Sequence, residues 1–85
     1  MAEITQVLQT TSFKKAVKKL HTNQKADLDS AIKAVMKDPF LGESKKGNLG
    51  FLRVYKFNMV KQLTLIGYSH EDGTVILELM TREFL

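Results

Sequence analysis

LRVYKFNMVKQLTLIGY, running from Leu52 to Tyr68, is the stretch whose reading decides the fold, because it lays out as two strands joined by a tight turn. A turn at Asn58-Met59, between Phe57 and Val60, sets Tyr55 opposite Gln62 and Val54 opposite Leu63. Successive side chains point to opposite faces of a strand, so a slip of one residue would exchange the two faces. Downstream, Val75 to Arg82 reads as a further strand after Glu71-Asp72-Gly73. Taken as a three-residue loop with Gly73 left-handed, that turn sets Tyr68 opposite Ile76, Thr64 opposite Met80 and Gln62 opposite Arg82. Leu63, Leu65, Val75, Leu77 and Leu79 then share one face with Leu52 and Val54, whereas a two-residue Asp72-Gly73 turn would divide the leucines. The other face carries Arg53, Tyr55, Gln62, Thr64, Tyr68, Glu78, Met80 and Arg82. In this register Arg53, Tyr55, Gln62 and Arg82 lie close together, and Lys56 faces Lys61, a like-charged pair that an anionic ligand would relieve.

The sequence upstream supplies the cover for the leucine face. Ile4 to Gln9 is apolar and β-branched enough for a short strand, and Thr10, Thr11 and Ser12 follow with helix-capping chemistry. Phe13, Ala16, Val17 and Leu20 recur at helical spacing, so they form the stripe of a first helix that ends near His21, with Lys14, Lys15, Lys18 and Lys19 pointing away. Thr22 and Asn23 cap a second helix whose stripe is Leu28, Ala31, Ile32 and Val35, and which stops at Asp38 because Pro39 follows. Phe40 to Asn48 has two glycines, two lysines and no period, which reads as a loop. Strands then follow over Gly50 to Phe57, Val60 to Tyr68 and Val75 to Arg82. The expected fold is α+β: an N-terminal strand, a two-helix hairpin and a three-stranded antiparallel meander, in the order β-α-α-β-β-β, as one domain over residues 1–85.

Composition limits what such a domain does. With 85 residues the core is modest and leaves no room for a cofactor domain, so no cofactor is expected. The absence of cysteine removes disulfides, thiolate catalysis and cysteine metal sites. The opening MAEITQVLQTT has no basic segment followed by an apolar one, and no run spans a bilayer, so we expect a cytoplasmic protein without a membrane partner. Thirteen basic against nine acidic residues give a formal charge of +4, and the excess is clustered, which favours an anionic partner.

Arginine forks bind phosphate and aromatic rings stack on unpaired bases, so Arg53, Tyr55, Gln62 and Arg82 together suit RNA; a sheet face that merely needs polar residues is the competing reading. Lys45 and Lys46 either add phosphate contacts or belong to a solvated loop, and the lysines of the first helix suit its solvated face. His21 and His70 stand apart and have no companions at metal-ligand spacing, so no metal site is expected. None of the serines has an evident base beside it, and no phosphate-cradling glycine motif is present.

The order of these elements, the SFKKAVKKL helix, the second helix ending at Asp38-Pro39, LRVYKFNMVKQLTLIGY and the closing VILELMTREFL together resemble the RelE/ParE superfamily of toxins from bacterial type II toxin-antitoxin modules. The resemblance implies a small basic growth-arresting toxin neutralised by a cognate antitoxin that wraps an extended or helical segment around it. RelE-like members act on the ribosome as mRNA interferases, metal-independent endoribonucleases that inhibit translation; ParE-like members lack most of the phosphate-binding residues and act on DNA gyrase. Carried onto this chain, the catalytic positions are Arg53, Gln62 and Arg82, and the RNA-binding ones are Lys45, Lys46, Tyr55, Lys56 and Lys61. Gln62 stands where such toxins commonly carry an arginine, and it brings no charge to a transition state. Their C-terminal aromatic residue would fall at or beyond Leu85, which leaves Tyr55 as the stacking group. Arg82 thus favours the ribosome and mRNA as partners; Gln62 favours a gyrase-directed or purely antitoxin-binding homologue, and the expectation leans to the ribonuclease.

Overall fold

Thr10 joins the first strand to the first helix and ties both to the last strand. In the structure, a computed structural model that describes residues 4–44 and 52–82, its hydroxyl accepts from the Phe13 amide at 3.1 Å and donates to the Glu78 carbonyl at 2.7 Å. On one side of it lies β1 (Gln6–Gln9), and on the other α1 (Thr11–Lys18). The second helix, α2 (Thr22–Lys37), begins one residue earlier than expected: His21 is its N-cap, and the His21 amide donates to Gln24 Oε1 at 2.7 Å. Asp38 ends it in extended conformation ahead of Pro39.

Four further strands follow: β2 (Glu43–Ser44), β3 (Arg53–Met59), β4 (Gln62–Glu71) and β5 (Thr74–Arg82). The expected order of a strand, two helices and an antiparallel meander is therefore present, with β2 added in the stretch expected to be loop. Among the described residues the strands join one five-stranded sheet in the order β1-β5-β4-β3-β2, mixed because β1 runs parallel to β5 while the other pairs are antiparallel. The helices cover one face. Phe13, Leu20, Leu28, Ala31 and Val35 pack there against Met59, Ile66, Tyr68, Val75 and Leu77. The expected helix stripes hold, and Lys14, Lys15, Lys18 and Lys19 are exposed. Among the described residues no helix is long and apolar enough to cross a membrane.

Both hairpin registers differ from expectation, and with them the faces. The β3–β4 turn is Val60-Lys61, not Asn58-Met59, so Tyr55 lies opposite Ile66, Val54 opposite Gly67 and Lys56 opposite Leu65; the expected Lys56–Lys61 pair does not form. The β4–β5 turn is the two-residue Asp72-Gly73, with both residues at positive φ, so that Glu71 pairs with Thr74. A bulge at Gly67/Tyr68 then leaves Glu78 as the extra residue between Leu77 and Leu79. Arg82 consequently pairs with Thr64, Met80 with Ile66 and Ile76 with Ser69, in place of Gln62, Thr64 and Tyr68 respectively.

The face expected to be open is thus the one the helices cover. Thr64 and Tyr68 are fully buried in it, and Tyr55 and Met80 pack against the core. Leu63, Leu65, Leu79 and Val54, expected under the helices, are on the outer face, whereas Val75 and Leu77 are inside as expected. The physical reason is the bulge. It lets the short turn keep Val75 and Leu77 inward while Leu79, two residues on, faces outward.

Candidate functional site

Tyr68 organises the helix-side end of β3 and β4. Its hydroxyl donates to the Pro39 carbonyl at 2.6 Å and accepts from the Gly42 amide at 2.9 Å, so one buried phenol closes the turn between α2 and β2. Burial pushes the phenol above its ordinary 10.0; the Gly42 amide and the nearby Arg53 charge pull the other way, and Asp38 adds to the rise. The close approach also explains Gly42: a Cβ there would lie 2.7 Å from the Tyr68 oxygen.

Arg53 pairs with Tyr68 across the sheet and binds the same turn. Its Nη1 donates to the Gly42 carbonyl at 2.8 Å and more weakly to that of Phe40 at 3.4 Å, and the guanidinium lies 5.0 Å from the centroid of the Phe40 ring. Phe40 remains 60% exposed and meets the His70 ring edge-on at 5.4 Å. The Nε2 of His70 is buried without a hydrogen-bond partner. Neither Phe40 nor His70 was expected here; the cue in the sequence was a lone large aromatic in a stretch otherwise rich in glycine and lysine.

The other expected residues lie elsewhere. Tyr55 and Phe57 stack on each other at 6.1 Å between centroids, half-buried beside α2 in a hollow lined by Asp27, Ser30 and Asn58. Gln62 pairs with Met59, six residues along β3 from Arg53, which puts the two roughly 20 Å apart along the strand. Arg82 pairs with Thr64, so its backbone is on the Gln62 side, with Lys61 in the adjoining turn. The expectation that Arg53, Tyr55, Gln62 and Arg82 lie close together is corrected by this register. Lys56 is exposed on the outer face, and Lys45 and Lys46 lie outside the described residues. Asp27 reaches across from α2 to accept the Val60 amide at 2.8 Å, which fixes the β3–β4 turn against the helix.

The outer face of the sheet is the other large feature. Leu63 and Leu79 are 38% exposed and Leu8 is 43% exposed, and the half-buried Leu65 and Ile76 lie between them. Leu79 lies directly over Gly67, where a Cβ would be 2.9 Å from its Cγ, so the glycine makes the room that this side chain occupies.

Compared with known proteins, the chain matches over residues 7–83 the family described as ParE-like toxin of type II bacterial toxin-antitoxin system. No curated protein and no solved structure matches it significantly.

Proposed function

Because this chain belongs to the ParE-like toxins of type II bacterial toxin-antitoxin systems, a membership that implies a cognate antitoxin, we propose that it arrests growth by binding a protein target, DNA gyrase being the target to test, and not by cutting RNA. One observation carries this reading. Arg53 and Gln62 stand at opposite ends of the β3–β4 pair, and the Arg53 guanidinium is engaged by the carbonyls of Gly42 and Phe40. Phosphoryl transfer needs charged donors converging on one phosphate within hydrogen-bond reach, and residues roughly 20 Å apart do not meet that condition. An open apolar sheet face suits a protein partner better than a polynucleotide.

A second reading, ribosome-dependent mRNA cleavage, is supported by the end of the sheet where Lys61, Gln62 and the backbone of Arg82 come together. One experiment separates the two. The chain is induced in growing cells, and message integrity by primer extension is followed together with plasmid supercoiling. We expect intact messages and altered supercoiling. Message cleavage that disappears in Arg82→Ala would overturn the binding reading in favour of the nuclease, and unimpaired growth with the folded chain present would overturn both.

A further inference from the structure

Residues 4–26 carry five lysines and no acidic residue. Four of them, Lys14, Lys15, Lys18 and Lys19, belong to α1 and its C-cap, and all four are exposed. At about 100° per residue they fall in an arc of about 140° on the side of α1 away from Phe13, Val17 and Leu20, which pack into the core. Along the helix axis they span about 7.5 Å. The carboxylates are placed elsewhere. Asp29, one turn from Lys25 on α2, is held by Lys33 at 3.3 Å, and Asp27 accepts the Val60 amide. Asp38 caps the far end of α2, and Glu43 stands in β2. Glu71, Asp72 and Glu78 line a hollow with Ser69 and Ile76 at the β4–β5 turn, on the sheet face that the helices leave open. Glu3 and Glu83 lie outside the described residues, and among the described ones no salt bridge neutralises the four lysines of α1.

The chemistry of this face selects its ligand. The other exposed side chains of α1 are Thr11 and Ser12, so the face offers ammonium and hydroxyl donors, which suit phosphate oxygens. It has no exposed apolar residue to seat in a lipid interface and no aromatic ring to stack on an unpaired base. A duplex backbone asks for neither, and a short row of point charges binds it irrespective of sequence. We infer that the lysine face of α1 is a sequence-independent binding site for duplex DNA, with Lys14, Lys15, Lys18 and Lys19 on its phosphates. The choice of DNA over duplex RNA rests on the gyrase reading, which puts the chain beside DNA; the face itself does not depend on it. Because α1 covers one side of the sheet and Leu63 and Leu79 are exposed on the other, DNA and a protein target can be held at once.

The purified chain is titrated against a fluorescein-labelled DNA duplex of about 20 bp, with anisotropy read between about 25 and 100 mM NaCl. Four phosphate contacts give log K a slope of about −3.6 against log salt, so binding should weaken roughly 150-fold across that range. Lys14→Gln with Lys18→Gln should lower the affinity about tenfold or more at the lowest salt and bring the slope to about −1.8. Lys15→Gln with Lys19→Gln is a second exposed pair with the same expectation. Lys33→Gln with Lys37→Gln removes as much charge from α2 and should leave affinity and slope as they were. No binding at the lowest salt, or equal losses in the α1 and α2 pairs, would overturn the site. A duplex RNA of the same sequence bound about tenfold more tightly would overturn DNA as the ligand. Displacement of the duplex by an equal charge of polyglutamate would overturn it in favour of an acidic protein surface. Binding as expected by a chain that leaves supercoiling unchanged in cells would support the site and sink the gyrase reading alone.

Discussion

At the scale of single residues, Tyr68 and Arg53 turn out to hold a chain segment that neither was expected to touch. Tyr68→Phe removes a hydroxyl with two buried partners and leaves the Pro39 carbonyl and Gly42 amide without one, so it should cost about 1–3 kcal/mol, read as a lower melting temperature. The same residue sets an alkaline limit. Its phenol holds its proton more tightly in the folded chain than in the unfolded one, because burial raises it above 10.0. Its contribution to stability is therefore complete below about pH 10 and falls as the pH rises through the folded value. A urea midpoint measured against pH should decline above about pH 10 in the parent, and more shallowly in Tyr68→Phe. Arg53 gives a contrasting test. Arg53→Lys keeps the charge but loses the planar fork and its stacking on Phe40, so a loop-holding role predicts a melting temperature several degrees lower, by about 1 kcal/mol.

Among elements, the β3–β4 turn is the place to gain stability. Val60 and Lys61 sit at φ 50° and 67°, a left-handed pair that suits asparagine and glycine and strains a β-branched side chain. Val60→Asn combined with Lys61→Gly should stabilise the chain by about 1 kcal/mol in urea unfolding, while Asp27→Ala, which frees the Val60 amide, should cost about as much. This turn also shows where the sequence was legible. Both helices could be read because Phe13, Leu20, Leu28, Ala31 and Val35 recur at helical spacing between capping residues and Pro39. The three long strands could be read too, but not their inner faces. Thr64 to Tyr68, TLIGY, is apolar at odd and even positions alike, so alternation cannot say which set is inside. Grouping the leucines points the wrong way, because the Glu78 bulge reverses the alternation within β5; its local cue is Gly67, the glycine inside β4 at the register shift. The site followed the register: Arg53 was recognisable as a special arginine, but its partners at Phe40 and Gly42 come from a stretch without periodicity.

For the whole molecule, an 85-residue domain with an apolar sheet face is expected to depend on its antitoxin for more than silence. A partner that binds only the folded chain, present at a hundred times its dissociation constant, adds about 2.7 kcal/mol, which should appear as a clear rise in melting temperature on titration. The parallel pairing of β1 with β5 adds an element of timing. Gln6 meets Thr74, 68 residues further along, and Thr10 waits for the Glu78 carbonyl. At about 5–20 residues per second, Gln6 of β1 is synthesised roughly 3–14 s before Thr74, the residue of β5 that it pairs with. Until then the sheet lacks its β1 edge and the core around Phe13 lacks Val75 and Leu77, so a nascent chain is not yet a toxin. Translation itself thus gives an antitoxin a head start of seconds, set by which strands the chain chooses to place side by side.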